Sequence, residues 1–270
     1  MVEDVFQPLA RVDAALNEHE LHVFRADLNR PAESPERLSR ILSAEELRRA
    51  NGYRFHRDRR RFIVRRALLR QLLARYARCD PSQIVLGTGR FGKPYLVRTS
   101  DVPPLRFSLS HSRDTAVFAL TLGRAVGVDV ESRVPLEYMP IAKRFFCPRE
   151  LRVLMSAPAS AQRGIFLQLW TCKEAALKAI GAGLSIPLTD VEVDLEHDAP
   201  LVDLPDADGQ RQRAQCRPLS SAADGTCCST VAVLGTTENL MCRQFSLHPA
   251  HGRQDSLLVA CDLREQNLPL

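Results

Sequence analysis

The sequence predicts an α+β fold in which short, mainly antiparallel strands pack on two long helices, and three observations carry that expectation. The segments LRFSLSHS (105–112), AVGVDVES (125–132) and TDVEVDLE (189–196) alternate apolar and polar side chains with the period of half-buried strands. The stretches RRRFIVRRALLRQLLARYARC (59–79) and LWTCKEAALKAIGAGLSIPL (169–188) carry apolar stripes at helical spacing. Segments 105–112, 115–122 and 125–132 follow one another closely, which predicts an antiparallel meander.

At 270 residues the chain is long enough for one large domain or two ordinary ones. Its composition, 45% hydrophobic and 26% charged, is that of a globular protein, and no apolar run approaches the roughly 20 residues that span a bilayer. The start, MVEDVFQPLA, is acidic and lacks the basic and apolar regions of a secretory signal, so a cytoplasmic location is expected. Cys79, Cys147, Cys172, Cys216, Cys227, Cys228, Cys242 and Cys261 show no CxxC pairing, which fits reduced thiols without a structural metal. Charge is uneven: residues 1–124 hold 23 basic and 14 acidic side chains, a balance of +9, and residues 125–270 hold 14 and 18, a balance of −4. The basic half suits an anion and the acidic half suits a metal.

In chain order, LHVFRADL (21–28) reads as a strand, and LSAEELRRA opens a helix on a capping-box pattern of Ser43 and Glu46. Twelve arginines and one acid, Asp58, lie between Arg48 and Arg78, most of them on the 59–79 helix, for which Asp58 is the expected N-cap. Phe62, Leu69, Leu73 and Tyr76 form its apolar stripe, with Arg66 inside it. Such a helix suits a solvated face or a nucleic-acid surface, and it also suits the phosphates of a small ligand, which the guanidinium fork matches in bidentate fashion. The glycine-rich GTGRFGKPYL (87–96) is either an anion-binding loop with Lys93 as its point charge or a plain hairpin turn. His111, between Ser110 and Ser112, ends the 105–112 strand, where the chain turning out of a sheet presents all three. Asp129 and Glu131, two apart on a strand, point to one face while Val128 and Val130 point to the other. They mark either a wet strand face or a cation site, since neighbouring carboxylates repel without a cation.

Residues 133–168 carry a helical stretch with a new helix opening at Pro148 and Glu150, then an expected loop around APASAQRG (157–164). The helix that begins near Leu169 is expected to run about three turns and end at Gly181. Trp170, Glu174, Leu177 and Gly181 share its apolar stripe, so Glu174 is either a surface partner of Lys178 or a desolvated carboxylate in need of a cation. Beyond it, 200–210 is polar and rich in turn residues, and TCCSTVAVL and DSLLVACDL read as two closing strands.

Taken together, FGKP (91–94), FSLSHS (107–112), GVDVES (127–132) and FLQLWTCKEAALKAIGAGLS (166–185) make the chain resemble the 4'-phosphopantetheinyl transferases of the surfactin-synthetase-activating (Sfp-like) type, in that family's motif order. The resemblance runs from about residue 53 to near residue 245. It implies a pseudo-dimer of two similar halves, each a small mainly antiparallel sheet packed on a long helix, divided near Arg124 into 1–124 and 125–270. The implied activity is transfer of 4'-phosphopantetheine from coenzyme A to a serine of an apo acyl or peptidyl carrier protein, releasing 3',5'-ADP. It implies a magnesium site of Asp129, Glu131 and Glu174, with Glu174 also the general base and Lys178 on a phosphate oxygen. For the nucleotide end it implies Arg57, the loop of Thr88, Gly89, Arg90, Phe91, Gly92 and Lys93, and the run Ser108, Leu109, Ser110 and His111. Arg66 and Arg70 align with basic positions in some relatives, Glu150 matches an acid after the FF motif, and Ser108 replaces the family's usual Asn. A monomer that binds neither nucleic acid nor membrane is implied as well. Two other readings remain at this point, a basic nucleic-acid-binding module and a magnesium-dependent nuclease.

Overall fold

Two 22-residue helices each cover one five-stranded sheet. The computed structural model describes residues 16–97, 104–132, 137–197, 199–205, 209–219, 227–235, 240–248 and 259–262. The acidic start, on which the expected absence of a leader rests, lies outside them. The helices are α1 (Pro35–Leu38), α2 (Ala44–Asn51), α3 (His56–Ala77), α4 (Tyr138–Phe145), α5 (Pro148–Ser156) and α6 (Ala159–Ile180). The strands are β1 (Glu20–Asp27), β2 (Leu86–Thr88), β3 (Pro94–Leu96), β4 (Leu105–Ser112), β5 (Thr115–Leu122) and β6 (Val126–Ser132), followed by β7 (Glu192–Asp194), β8 (Leu201–Pro205), β9 (Arg211–Pro218), β10 (Cys227–Leu234), β11 (Met241–His248) and β12 (Val259–Asp262).

The first sheet runs β12-β11-β1-β5-β4, antiparallel except for the β1–β11 pair, and packs on α3. Phe62, Leu69, Leu72 and Leu73 of α3 meet Phe24, Phe118 and Leu120 of the sheet in one buried cluster. Each such side chain contributes about 1.5–3 kcal/mol of burial, so packing holds this arginine-rich helix more firmly than propensity does. The second sheet runs β6-β10-β9-β8-β7, fully antiparallel, and packs on α6 through Ala175, Ala176, Val202, Cys216 and Ala232. Leu21, Val23, Val117 and Ala119 of the first sheet meet Val126, Val128, Val130, Val231 and Val233 of the second in a third cluster. The expected architecture, two sheet-and-helix halves, is the observed one.

Several local expectations are corrected. The 105–132 meander breaks after two strands: β4 pairs with β5, but β6 leaves the first sheet and pairs with β10. Residues 159–164, expected as loop, form the first turns of α6, because Pro158 stands before the helix and Gly164 is tolerated within it. Asp58 lies inside the first turn of α3, and Phe55 holds the cap position without a side-chain hydrogen bond. Residues 201–205, expected within a polar, turn-rich stretch, form β8, whose Val202 and Leu204 are buried on one face; β9 and β11 are strands although charged and amide residues interrupt their apolar pattern. The Ser43–Glu46 capping box and the helix start at Pro148 are as expected.

α6 ends at Gly181, which adopts φ 72° and sends its N–H to the Leu177 carbonyl. Its approach to β6 depends on Gly127, where a Cβ would collide with the Ala175 carbonyl oxygen and the Ala179 nitrogen. That close contact brings Glu174 and Lys178 over Asp129. Among the described residues no helix is long and apolar enough to cross a membrane.

Candidate active site

β4 and β6 are edge strands of different sheets, and three serines join them where ladder bonds do not. Ser108 Oγ accepts from the Val128 N–H at 3.1 Å, Ser110 Oγ donates to Asp129 Oδ1 at 2.8 Å, and Ser112 Oγ donates to Glu131 Oε2 at 3.1 Å. The period of two on each strand puts these groups on one face. From α6, Lys178 Nζ reaches Asp129 Oδ1 at 2.6 Å and Ser110 Oγ at 2.8 Å. Asp129 is 4% exposed, yet its Oδ2 has no hydrogen-bond partner among the described residues. A buried carboxylate oxygen left open is costly in an isolated fold, and it is the atom an incoming cation would take.

The carboxylates around it titrate upward. Burial raises the Glu174 pKa above its ordinary value, the charges of Asp129 and Glu131 add to the rise, and Lys178 opposes it. Burial likewise raises Glu131, with Asp129 adding, while Ser112, Lys178 and Trp170 pull it back. Glu131 and Glu174, whose burial and the repulsion of neighbouring carboxylates favour protonation, make with Asp129 a site that gains from a divalent cation, and an all-oxygen donor set suits magnesium. As placed, the side chains are not gathered round one point: no group of three His, Cys, Asp or Glu at metal-holding distance occurs among the described residues. Lys178 occupies one Asp129 oxygen instead.

His111 faces the other way, toward α3, into a cavity of about 530 Å³ walled by Tyr53, Arg57, Arg61, Phe62, Arg65 and the Arg113–Asp114 turn. Much of the residue is exposed at the mouth of that cavity, but the protein around the ring lowers its pKa to about 4, with Arg65, Lys178 and Arg61 adding to the fall. The imidazole is therefore neutral at pH 7. A second, smaller cavity of about 180 Å³ opens beside Glu131 and Ser112 and is lined by Tyr138, Ile141, Phe166, Leu167 and Trp170. Trp170 lines it while also stacking on Phe166, with ring centroids 6.1 Å apart.

The residues assigned to the nucleotide end divide between two places. Arg57 lies in the arginine-walled cavity with His111 and bonds to Asp58 at 3.2 Å. The 88–93 loop is the β2–β3 turn and lies against the end of α6: Lys93 Nζ donates to the Val126 and Ala179 carbonyls at 3.0 and 2.9 Å, and Phe91 and Lys93 flank Gly183 and Gly181. Burial, with Arg106 adding, lowers the Lys93 pKa to about 8. Thr88, Arg90, Phe91, Gly92 and Lys93 are not among the residues that line the His111 cavity, and Arg90 stacks on Phe91 at 5.2 Å. Ser108 and Ser110 belong to the Asp129 side, and Leu109 packs into the first core.

Three residues left open by sequence are internal. Arg66 and Arg70 both pair with Glu46, and Arg70 also donates to the Pro81 and Ile84 carbonyls at 3.0 Å. Glu150 is 1% exposed and pairs with the fully buried Lys173 at 2.7 Å, while its two oxygens also accept from Cys147 and Val193 N–H groups. Sequence reasoning missed Lys173, since its partners lie in α5 and the 188–191 segment, far along the chain.

Comparison with known proteins gives the family. The 4'-phosphopantetheinyl transferase superfamily pattern matches residues 125–221, and the pattern for the N-terminal part of a 4'-phosphopantetheinyl transferase matches residues 29–122. The transferase HetI of a Nostoc species is 36% identical over 221 residues, covering 80% of this chain and 88% of its own. A putative 4'-phosphopantetheinyl transferase of Synechocystis is 39% identical over 181 residues, covering 66% and 73%. The Sfp transferase of Bacillus subtilis is 30% identical over 190 residues, covering 69% and 83%. The chain belongs to the 4'-phosphopantetheinyl transferase superfamily. Within it, the chain is an enzyme of the Sfp-like type.

Proposed function

We propose that this chain transfers 4'-phosphopantetheine from coenzyme A to a serine hydroxyl of an apo acyl or peptidyl carrier protein, with magnesium, releasing 3',5'-ADP. The observation that carries this reading is the open Oδ2 of buried Asp129 within a group of carboxylates and one lysine. Glu174 takes the serine proton, a role its raised pKa favours by making it a stronger base. The serine oxygen forms a bond to the β-phosphorus as the bond to the leaving phosphate oxygen breaks, and the electron pair departs with 3',5'-ADP. Lys178 offsets the charge that develops on the phosphate oxygens. Asp129, Glu131 and Glu174 would hold magnesium, which when bound supplies charge neutralisation on the pyrophosphate.

The arginine-walled cavity with His111 takes the nucleotide end, and the apolar cavity beside Glu131 takes the pantetheine arm. Residues 1–124 then act as the nucleotide half and 125–270 as the metal and catalytic half, with β11 and β12 returning to the first sheet. The protein works as a cytoplasmic monomer, and carrier domains rather than nucleic acid are its macromolecular partners. Arg65, Arg66 and Arg70 are turned to internal partners, which leaves α3 a poorer duplex surface than its composition suggests. Mass spectrometry of an apo carrier domain incubated with the protein, magnesium and coenzyme A tests the reading. A carrier heavier by one phosphopantetheine is expected, and an unchanged mass across fatty-acid, polyketide and peptide carriers would overturn it.

A further inference from the structure

Four positions of α6, Arg163, Leu167, Trp170 and Glu174, recur at spacings of four, three and four and so lie on one face of the helix. Arg163, Leu167 and Trp170 line the apolar cavity beside Glu131, while Glu174 is raised in pKa by Asp129 and Glu131 at the reacting end. The other cation of this lining, Arg113, also lines the arginine-walled cavity and so marks the end nearer the nucleotide. Arg163 belongs to the apolar cavity alone. It is half-buried and forms no hydrogen bond or ion pair among the described residues, whereas its neighbour Gln162 is held by the Tyr138 hydroxyl at 3.2 Å and the Ala157 carbonyl at 3.1 Å. The first turn of α6 carries no acid, so nothing there answers the guanidinium or the positive end of the helix.

Length says which part of coenzyme A reaches it. Arg163 precedes Glu174 by three helical turns, about 16 Å along the axis. From the β-phosphorus to the sulfur the pantetheine arm spans about thirteen bonds, as many as about four extended residues, or roughly 15 Å. An arm extended from a phosphorus beside Glu174 therefore brings its sulfur, and whatever acyl group the sulfur carries, to the Arg163 turn.

We propose that Arg163 is a specificity-determining residue for the acyl group on coenzyme A: its guanidinium binds the terminal carboxylate of a carboxyacyl thioester, so such donors are preferred over neutral ones of equal length. This rests on the reading that coenzyme A is the co-substrate with its arm in the apolar cavity. The bond changes stay the same: the serine oxygen bonds to phosphorus, the phosphate oxygen leaves with 3',5'-ADP, and the thioester passes intact to the carrier. A carboxylate accepts two parallel N–H bonds from a guanidinium, and a neutral acyl chain offers no such partner.

Steady-state kinetics of the full chain with magnesium and an apo carrier test this, with coenzyme A, butyryl-coenzyme A and succinyl-coenzyme A as donors and carrier mass as the readout. The two acyl chains have the same length and differ in the carboxylate. Wild type should show a kcat/KM for succinyl-coenzyme A about 5-fold above that for butyryl-coenzyme A, the size of one charge-assisted contact partly screened by water. Arg163→Gln should bring that ratio to about one, the loss falling on the succinyl donor, and should keep the melting temperature because Gln suits a helix. Arg163→Glu should reverse the preference. Equal rates for the two acyl donors in wild type, turnover of neither, a preference that survives Arg163→Gln, or an equal loss with all three donors in that variant would overturn the proposal. Failure of wild type to use coenzyme A itself would instead overturn the reading beneath it.

Discussion

Two lysines of α6, Lys173 and Lys178, sit five residues apart on different faces of the helix and each pairs with a carboxylate, yet the two pairs are built in opposite ways. Lys173 and Glu150 are saturated: the ammonium also donates to the Leu188 and Val191 carbonyls, and the carboxylate also accepts two backbone N–H groups. Lys178 and Asp129 are unsaturated: the lysine side chain is 31% exposed, and one oxygen of the buried aspartate is open. A saturated pair ties α5 to the second sheet and its helix and has no valence left for a ligand. An open pair stores binding capacity for a cation and a phosphate. The same residue types therefore serve stability in one place and chemistry in the other, and satisfaction of their hydrogen bonds tells them apart.

The largest expected effect breaks the saturated pair. Glu150→Ala leaves the Lys173 ammonium buried without its carboxylate and should cost about 3–5 kcal/mol in denaturant unfolding, while the folded fraction keeps turnover within a few-fold. A cost below 1 kcal/mol would show that Glu150 does not hold this part of the fold. At the open pair the balance reverses. Glu174→Gln should lower turnover at least about 100-fold in a steady-state assay with carrier and coenzyme A. Its stability at pH 7 should equal or exceed that of wild type. The sign follows from the raised pKa: the folded state binds the Glu174 proton more tightly than the unfolded state, so stability falls as pH rises from the ordinary value of 4.5 into the raised range. The neutral amide removes that penalty.

The motifs that define the site were legible because strand alternation is local: Asp129 with Glu131, and Ser108 with Ser110, fall on one face by their spacing alone. The partnership of Lys178 with Asp129 and Ser110 required α6 to lie on β6, and Gly127 was the sequence signal that permits it. The capping box of Ser43 and Glu46 is legible from local spacing, but the second service of Glu46, to Arg66 and Arg70, depends on how α2 crosses α3. The burial of Lys173 was not legible because its partners, Glu150 and the Leu188 and Val191 carbonyls, lie in other elements. The departure of β6 from the first sheet was hidden for the same reason, since its partner β10 begins about a hundred residues later. Local periodicity thus reports faces, whereas the exchange of partners between edges is decided by non-local packing.

The smallest expected effect sharpens the contrast between the two cavities. His111 titrates near pH 4 without ligand, and a bound phosphate would raise that value, so binding of 3',5'-ADP should tighten as pH falls from 7 toward 4 relative to a variant lacking the imidazole. Between pH 7.5 and 5.5 wild type should gain a few-fold over His111→Gln in fluorescence or calorimetric titration. Parallel pH profiles for the two proteins would remove His111 from the nucleotide end.

Carrier mass measured with wild type and with Asp129→Ala at matched folded fraction shows whether the open pair is the reacting centre. A carrier heavier by one phosphopantetheine is expected with wild type and magnesium, no change with Asp129→Ala, and little loss of stability in that variant because the partly exposed Lys178 can reach water. Modification of the carrier by Asp129→Ala at the wild-type rate would contradict it.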